Sequence, residues 1–152
     1  MKSIKFTVYG EPEGKGRPRF STGYSKSQSR SFVRVHTPTK TANYENLVKV
    51  EYETQTKHFR FPDDAMLDMR IIAFYGIPKS DSKKKRQMKL AGDIRPTKKP
   101  DADNVVKSIA DALNDIAYKD DTQIVDCQVR KFYSETPRVE VRIIQIETRK
   151  EI

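Results

Sequence analysis

The chain has 152 residues, 36% hydrophobic and 34% charged, and its 30 Lys and Arg outnumber 21 Asp and Glu to give a net charge of +9. That length suits a single domain over 1–152, able to bury a core without cross-links, and the surplus of bases favours a polyanionic partner, nucleic acid first. The lone Cys127 excludes an intrachain disulfide, the scattered His36 and His58 exclude a zinc cage, and the most apolar stretch, Ile71 to Ile77, is too short to cross a bilayer. These features describe a protein of a reducing, cytoplasmic compartment, neither exported nor inserted in a membrane.

Ile4 to Tyr9 alternates apolar and polar residues and predicts a strand. From Pro12 to Lys40 the composition turns to Gly, Ser, Pro and bases, including GKGRPRF, which predicts a long exposed loop with a short hairpin strand at Phe32, Val33 and Val35. Thr39 to Gln55 spaces Tyr44, Leu47, Val48 and Tyr52 at threes and fours, the pattern of an amphipathic helix covering a sheet face. Ala65 to Tyr75 reads as a strand entering the core, ended by Pro78. Ser82 then caps a short helix through Leu90, Gly92 stops it, and Ile94 to Pro100 is an extended basic connection. Asp103 to Ala117 is expected to be helical, with Val106, Ile109, Leu113 and Ile116 as its apolar stripe. Gln123 to Tyr133 and Arg138 to Ile146 read as an antiparallel hairpin, Val125, Cys127 and Val129 facing Val139, Val141 and Ile143. The elements amount to an α+β fold, a mixed and mainly antiparallel sheet packed by helices.

Chemistry concentrates in KKPDADNVVK, Lys98 to Lys107, and in the stretch that follows it to Asp126. In an extended segment Asp101 and Asp103 would point the same way. On the helix Asp103, Lys107 and Asp111 recur every four residues, on an arc away from the apolar stripe. Carboxylates about 4 Å apart repel by roughly 4 kcal/mol per pair at an effective dielectric near 20, so their gathering calls for a cation. Magnesium fits, because it prefers oxygen ligands and shares them with water and phosphate. Lys107 is then placed to neutralise charge on a scissile phosphate. Taken singly, the same residues have ordinary readings: Asp103 as a helix cap or surface partner of Lys107, and Asp120/Asp121 as a solvated turn.

Positive charge is local. Residues 77–100 hold nine bases against two acids, among them Lys83, Lys84, Lys85, Arg86, Lys98 and Lys99, and residues 12–40 hold seven bases against one acid, among them Lys15, Arg17 and Arg19. The rest of the chain is net acidic, so the field is that of a phosphate-tracking surface. Solvated helix faces and mobile loops are the plain alternatives for these runs. Phe20 and Tyr24 are aromatic candidates for stacking on bases.

KPDADNVVKSIADALNDIAYKDDTQI resembles the RusA family of Holliday junction resolvases, matching its D-x-D-N-x-x-K, D-A-L and D-D-x-Q elements in order. GKGRPR, Thr37–Pro38 and PKSDSKKKR are similar to features of a longer branch of that family. The resemblance implies a homodimer that binds four-way DNA junctions, makes paired symmetric nicks with magnesium (manganese as substitute), and associates with the nucleoid through DNA. It assigns metal binding to Asp101, Asp103 and Asp121, with Asp120 the alternative to Asp121, catalysis to Lys107 and an orienting part to Asn104. Asn114 and Asp115 stand where many members have a glycine near the helix end, a departure that affects the turn.

A helix from Asp103 to Ala117 rises roughly 21 Å, and the four residues onward to Asp121 return at most about 14 Å. Asp121 therefore joins Asp103 either through a loop running straight back along the helix or in the site of a dimer partner. Two other functions compete: a non-catalytic nucleic-acid-binding module, and a magnesium nuclease preferring forks or flaps.

Overall fold

A computed structural model describes residues 2–16, 19–25, 30–36 and 39–148, with 19–25 and 30–36 described by their strand pairing. Four strands form the main sheet: β1 (Ser3–Tyr9), β4 (Met66–Gly76), β5 (Ile124–Ser134) and β6 (Arg138–Ile146), in the order β1-β6-β4-β5. β2 (Arg19–Ser25) and β3 (Arg30–His36) pair antiparallel as a separate hairpin, so the expected loop carries one strand more than its composition announced. The helices are α1 (Thr39–Thr56), α2 (Lys83–Leu90) and α3 (Ala102–Ala112). The fold is α+β with a mixed sheet, as the elements predicted.

β4 occupies the interior because alternate residues Leu67, Met69, Ile71, Ala73 and Tyr75 are all buried. It pairs antiparallel with β6 and parallel with β5. The expected β5–β6 hairpin is therefore wrong: the two strands are antiparallel, but β4 lies between them. The connection Glu135–Pro137 steps over the end of β4, where Gly76 leaves room; a Cβ there would sit 3.2 Å from Pro137 Cγ and clash with the Glu11 carboxylate. Four Cα steps reach about 13 Å, enough for the roughly 10 Å of two strand spacings. At the sheet edge, Val125 is 56% exposed and Cys127 is exposed, so the core alternation expected there does not form.

α1 buries Tyr44, Val48 and Tyr52, the last edge-on to Phe6 at 5.3 Å between ring centroids. α3 is shorter than predicted. It presents Val105, Ile109 and Ala112 to the core, leaving Val106 and Ile116 only partly buried. It stops because the backbone turns at Asn114–Asp115, Asp115 taking φ 63°, the left-handed position that glycine fills most easily.

Candidate active site

The shortened helix removes the difficulty of reach. From Asp103 to Ala112 the rise is about 14 Å, and the nine residues onward to Asp121 leave ample chain for the return. Within one chain, Asp103, Lys107, Asp111 and Asp121 line a single open groove of about 350 Å³, floored by Val106, Ala110 and Ile124, with Cys127 of β5 on its wall. The groove thus takes its charged residues from two separate stretches, one face of α3 from Asp103 to Asp111 and the 3-10 turn Asp121–Gln123.

Adjacent aspartates at that turn have different surroundings. Asp120 caps it, accepting from Thr122 N at 3.3 Å and Thr122 Oγ1 at 2.6 Å, and those bonds hold its carboxyl below the usual range. Gln123 completes a capping box with it. Asp121 lines the groove instead. Burial, followed by a hydrogen bond with Asp111, holds its carboxyl above the usual range, while the Asn114 side chain pulls the other way. Asn114 Oδ1 also accepts from Asp121 N at 2.8 Å, so the turn that ends α3 places Asp121.

Asp111 belongs to the same cluster, though the motif assigned it no part. Lys15 Nζ donates to its Oδ2 at 2.5 Å and lies 3.5 Å from Glu45 Oε1. The Asp111 hydrogen bond is the main cause that raises the lysine's pKa. The signal for Asp111 was its four-residue spacing from Lys107; what the sequence could not give was its contact with Asp121.

The N-terminal segment Glu13–Gly16 is laid along α3. Ser108 Oγ donates to Glu13 O at 2.8 Å, Gly16 N donates to Thr41 Oγ1 at 2.8 Å, and a Cβ on Gly14 would lie 3.0 Å from Pro100 Cβ and 3.1 Å from Asn104 Cβ. Asn104 makes no side-chain hydrogen bond among the described residues; its contact with Gly14 is packing. Lys15 is thereby at the groove, while the side chains of Arg17, Arg19, Phe20 and Tyr24 fall outside the described residues.

Asp101 is placed differently from expectation. α3 begins at Ala102, so Asp103 is already helical and the extended geometry that would have aligned the two acids ends at Asp101. Asp101 is the N-cap residue without a side-chain cap bond, and it does not line the groove. It faces Tyr75 and Lys131. Burial first and the Asp101 charge second push the Tyr75 phenol up to about 12, and burial lowers Lys131 against the opposing pull of Asp101. Two bonds fix the preceding connection: Lys131 Nζ to Lys98 O at 2.7 Å, and Tyr75 Oη to Pro100 O at 2.5 Å.

The basic runs are spread out. Lys83, Lys84 and Lys85 are exposed on α2, Arg86 pairs with Glu135 at 3.1 Å, and Lys98 and Lys99 are exposed on the connection leading into α3. None of them lines the groove.

Among the described residues no three Asp, Glu, His or Cys side chains come together closely enough to hold a metal ion by themselves. The donor chemistry nevertheless suits a hard cation. Asp103, Asp111 and Asp121 line one open groove, with Asp111 near enough to Asp121 to raise its carboxyl, and oxygen donors beside open space are the kind magnesium shares with water and phosphate.

Comparison with known proteins gives the same direction. The family model described as endodeoxyribonuclease RusA matches residues 9–144. The protein named "Uncharacterized protein YqaN" of Bacillus subtilis (strain 168) is 42% identical over 148 residues, covering 96% of this chain and 99% of its own. No helix among the described residues is long and apolar enough to cross a membrane. With acids and a lysine gathered in one groove and a family match over nearly its whole length, the chain belongs to the RusA endodeoxyribonuclease family.

Proposed function

We propose that this nuclease resolves four-way DNA junctions by magnesium-dependent hydrolysis of phosphodiester bonds. The observation that carries the reading is the joint lining of one groove by Asp103, Lys107, Asp111 and Asp121. Asp103 and Asp121 would hold the cation, with Asp111 beside them and Asp101 at the mouth of the helix. A divalent cation bound there supplies positive charge for the attacking and leaving oxygens of an in-line displacement. Lys107 binds the non-bridging oxygens of the scissile phosphate and offsets charge as it builds. Asn114 holds the Asp121 backbone, and Tyr75 with Lys131 holds the connection that carries Asp101; these are positioning residues. Lys15, Lys98, Lys99 and the α2 lysines draw the DNA backbone towards the groove. Paired symmetric nicks need two such grooves, which makes a homodimer part of the proposal.

The test is cleavage of a synthetic four-way junction, a fork and a plain duplex in magnesium, in manganese and in chelator, with Asp103→Asn as control. Junction cutting that needs the cation and disappears in the variant supports the proposal. Equal cutting of all three substrates would reduce it to a general nuclease, and no cutting in either metal would end it.

A further inference from the structure

The main sheet has a second face. Residues paired across strands share a side, and Phe6, Val141 and Ile71 form a buried row on the side of α1 and α3. Their neighbours in sequence point away. Lys5 pairs with Arg142, Arg142 with Arg70, and Arg70 with Gln128, so three cations stand side by side across about 10 Å of sheet. Arg130, beside Ile72 in the next row, adds a fourth. Together they border an open trough of about 510 Å³ in which Glu140 is the one acid among the described residues.

Aromatic groups continue the surface. In the row beyond, Arg138 lies 4.0 Å over the Phe74 ring and Arg95 lies 4.2 Å over Phe132, with Tyr9 at the edge 64% exposed. At the opposite end the face closes with Asp68 beside Asp126. Arg70 is paired with Asp68 at 3.1 Å and Arg138 lies 3.8 Å from Glu140, but Lys5, Arg130 and Arg142 make no ion pair among the described residues.

Like charges directly opposite one another weaken a sheet. A row of three with so little compensation is what a surface for a polyanion would contain. We propose that this face binds the phosphate backbone of duplex DNA, as a second contact area on the opposite side of the sheet from the acidic groove. Charge selects the occupant: Lys5, Arg70, Arg130 and Arg142 line the trough against Glu140, an excess of positive charge that suits a polyanion. The choice of DNA among polyanions rests on the proposed nuclease reading.

The experiment compares the full chain with Lys5→Ser/Arg130→Ser/Arg142→Ser and with the charge-keeping Lys5→Arg/Arg130→Lys/Arg142→Lys. Fluorescence anisotropy with labelled junction and labelled duplex, in chelator, is read over a series of salt concentrations. For the serine variant we expect affinity for both DNAs to fall about ten-fold or more, and the slope of log affinity against log salt to become shallower by about 2 to 3. The charge-keeping variant should retain both. Unchanged slope and affinity in the serine variant overturn the proposal, as does an equal loss in the charge-keeping variant, which would assign these residues to the scaffold. Because no cation is present, the outcome is independent of cutting: a chain that never cuts yet loses slope as expected sinks the nuclease reading and leaves this one standing.

Discussion

Two polar corners of the molecule use the same residue types to opposite ends. Where α2 packs against β5, Lys89 and Asp81 form a tight ion pair with side chains 6% and 9% exposed, the ammonium also lying 4.6 Å from the Tyr133 ring centroid. The Lys89 hydrogen bond holds Asp81 below the usual carboxylate range. In the groove on α3, Asp121 meets another acid, and burial with that contact raises it. The first corner is satisfied by the protein itself; in the second Lys15 pairs with Asp111, but Asp121 makes no ion pair among the described residues. A buried pair broken on one side destabilises, whereas a crowded acid removed relieves repulsion.

That contrast can be broken most sharply at the groove. Asp103→Asn and Asp121→Asn are each expected to lower junction cleavage by about 10²- to 10³-fold or more while DNA affinity in chelator is retained, measured by single-turnover cutting and anisotropy. Lys107→Ala should cost about as much in cutting, again with binding little changed. Asp111→Asn, one contact removed from the proposed ligands, should cost about 10- to 100-fold and raise the metal concentration needed for half-maximal rate. Restored cutting at high metal would mark it as a positioning residue.

Stability supplies smaller effects of opposite sign. Asp121 is raised, so its charged form is penalised in the folded state: the penalty is absent below the ordinary carboxylate pKa and complete above the folded value. Asp121→Asn should therefore raise the thermal midpoint at pH 7 and change it little near pH 3, as followed by circular dichroism. Asp81 is lowered, so its contribution is present above the unfolded value of 3.8 and lost as pH falls through the lower folded one. Asp81→Asn should lower the midpoint by a few degrees at pH 7 and by less in acid. A shift of the same sign in both variants at pH 7 would erase the distinction between the two corners.

Much of this was readable in the residues. The alternation of Leu67 to Tyr75 gave β4, Ser82 gave the start of α2, and the four-residue spacing of Asp103, Lys107 and Asp111 placed them on one arc. What failed was non-local. Periodicity in 123–146 marks two strands but carries nothing about a third entering between them, and the burial of β4 decided that order. The end of α3 was missed because Ile116 kept the apolar rhythm, while Asn114–Asp115, residues suited to a left-handed turn, ended the helix first. Asp120 and Asp121 are indistinguishable as letters; Thr122 and Asn114, by bonding one and placing the other, tell them apart.

The pairing of β1 has a consequence for how the molecule is made. Its sheet partner is β6, which follows every other described strand, so β1 cannot be zipped into the sheet until β6 has left the ribosome. Contacts of such long separation slow folding, because the loop must close before any bond rewards it. A nascent chain stalled before Arg138 would keep Phe6 and Val8 without their neighbours Val141 and Val139, a sticky edge that invites aggregation or a chaperone.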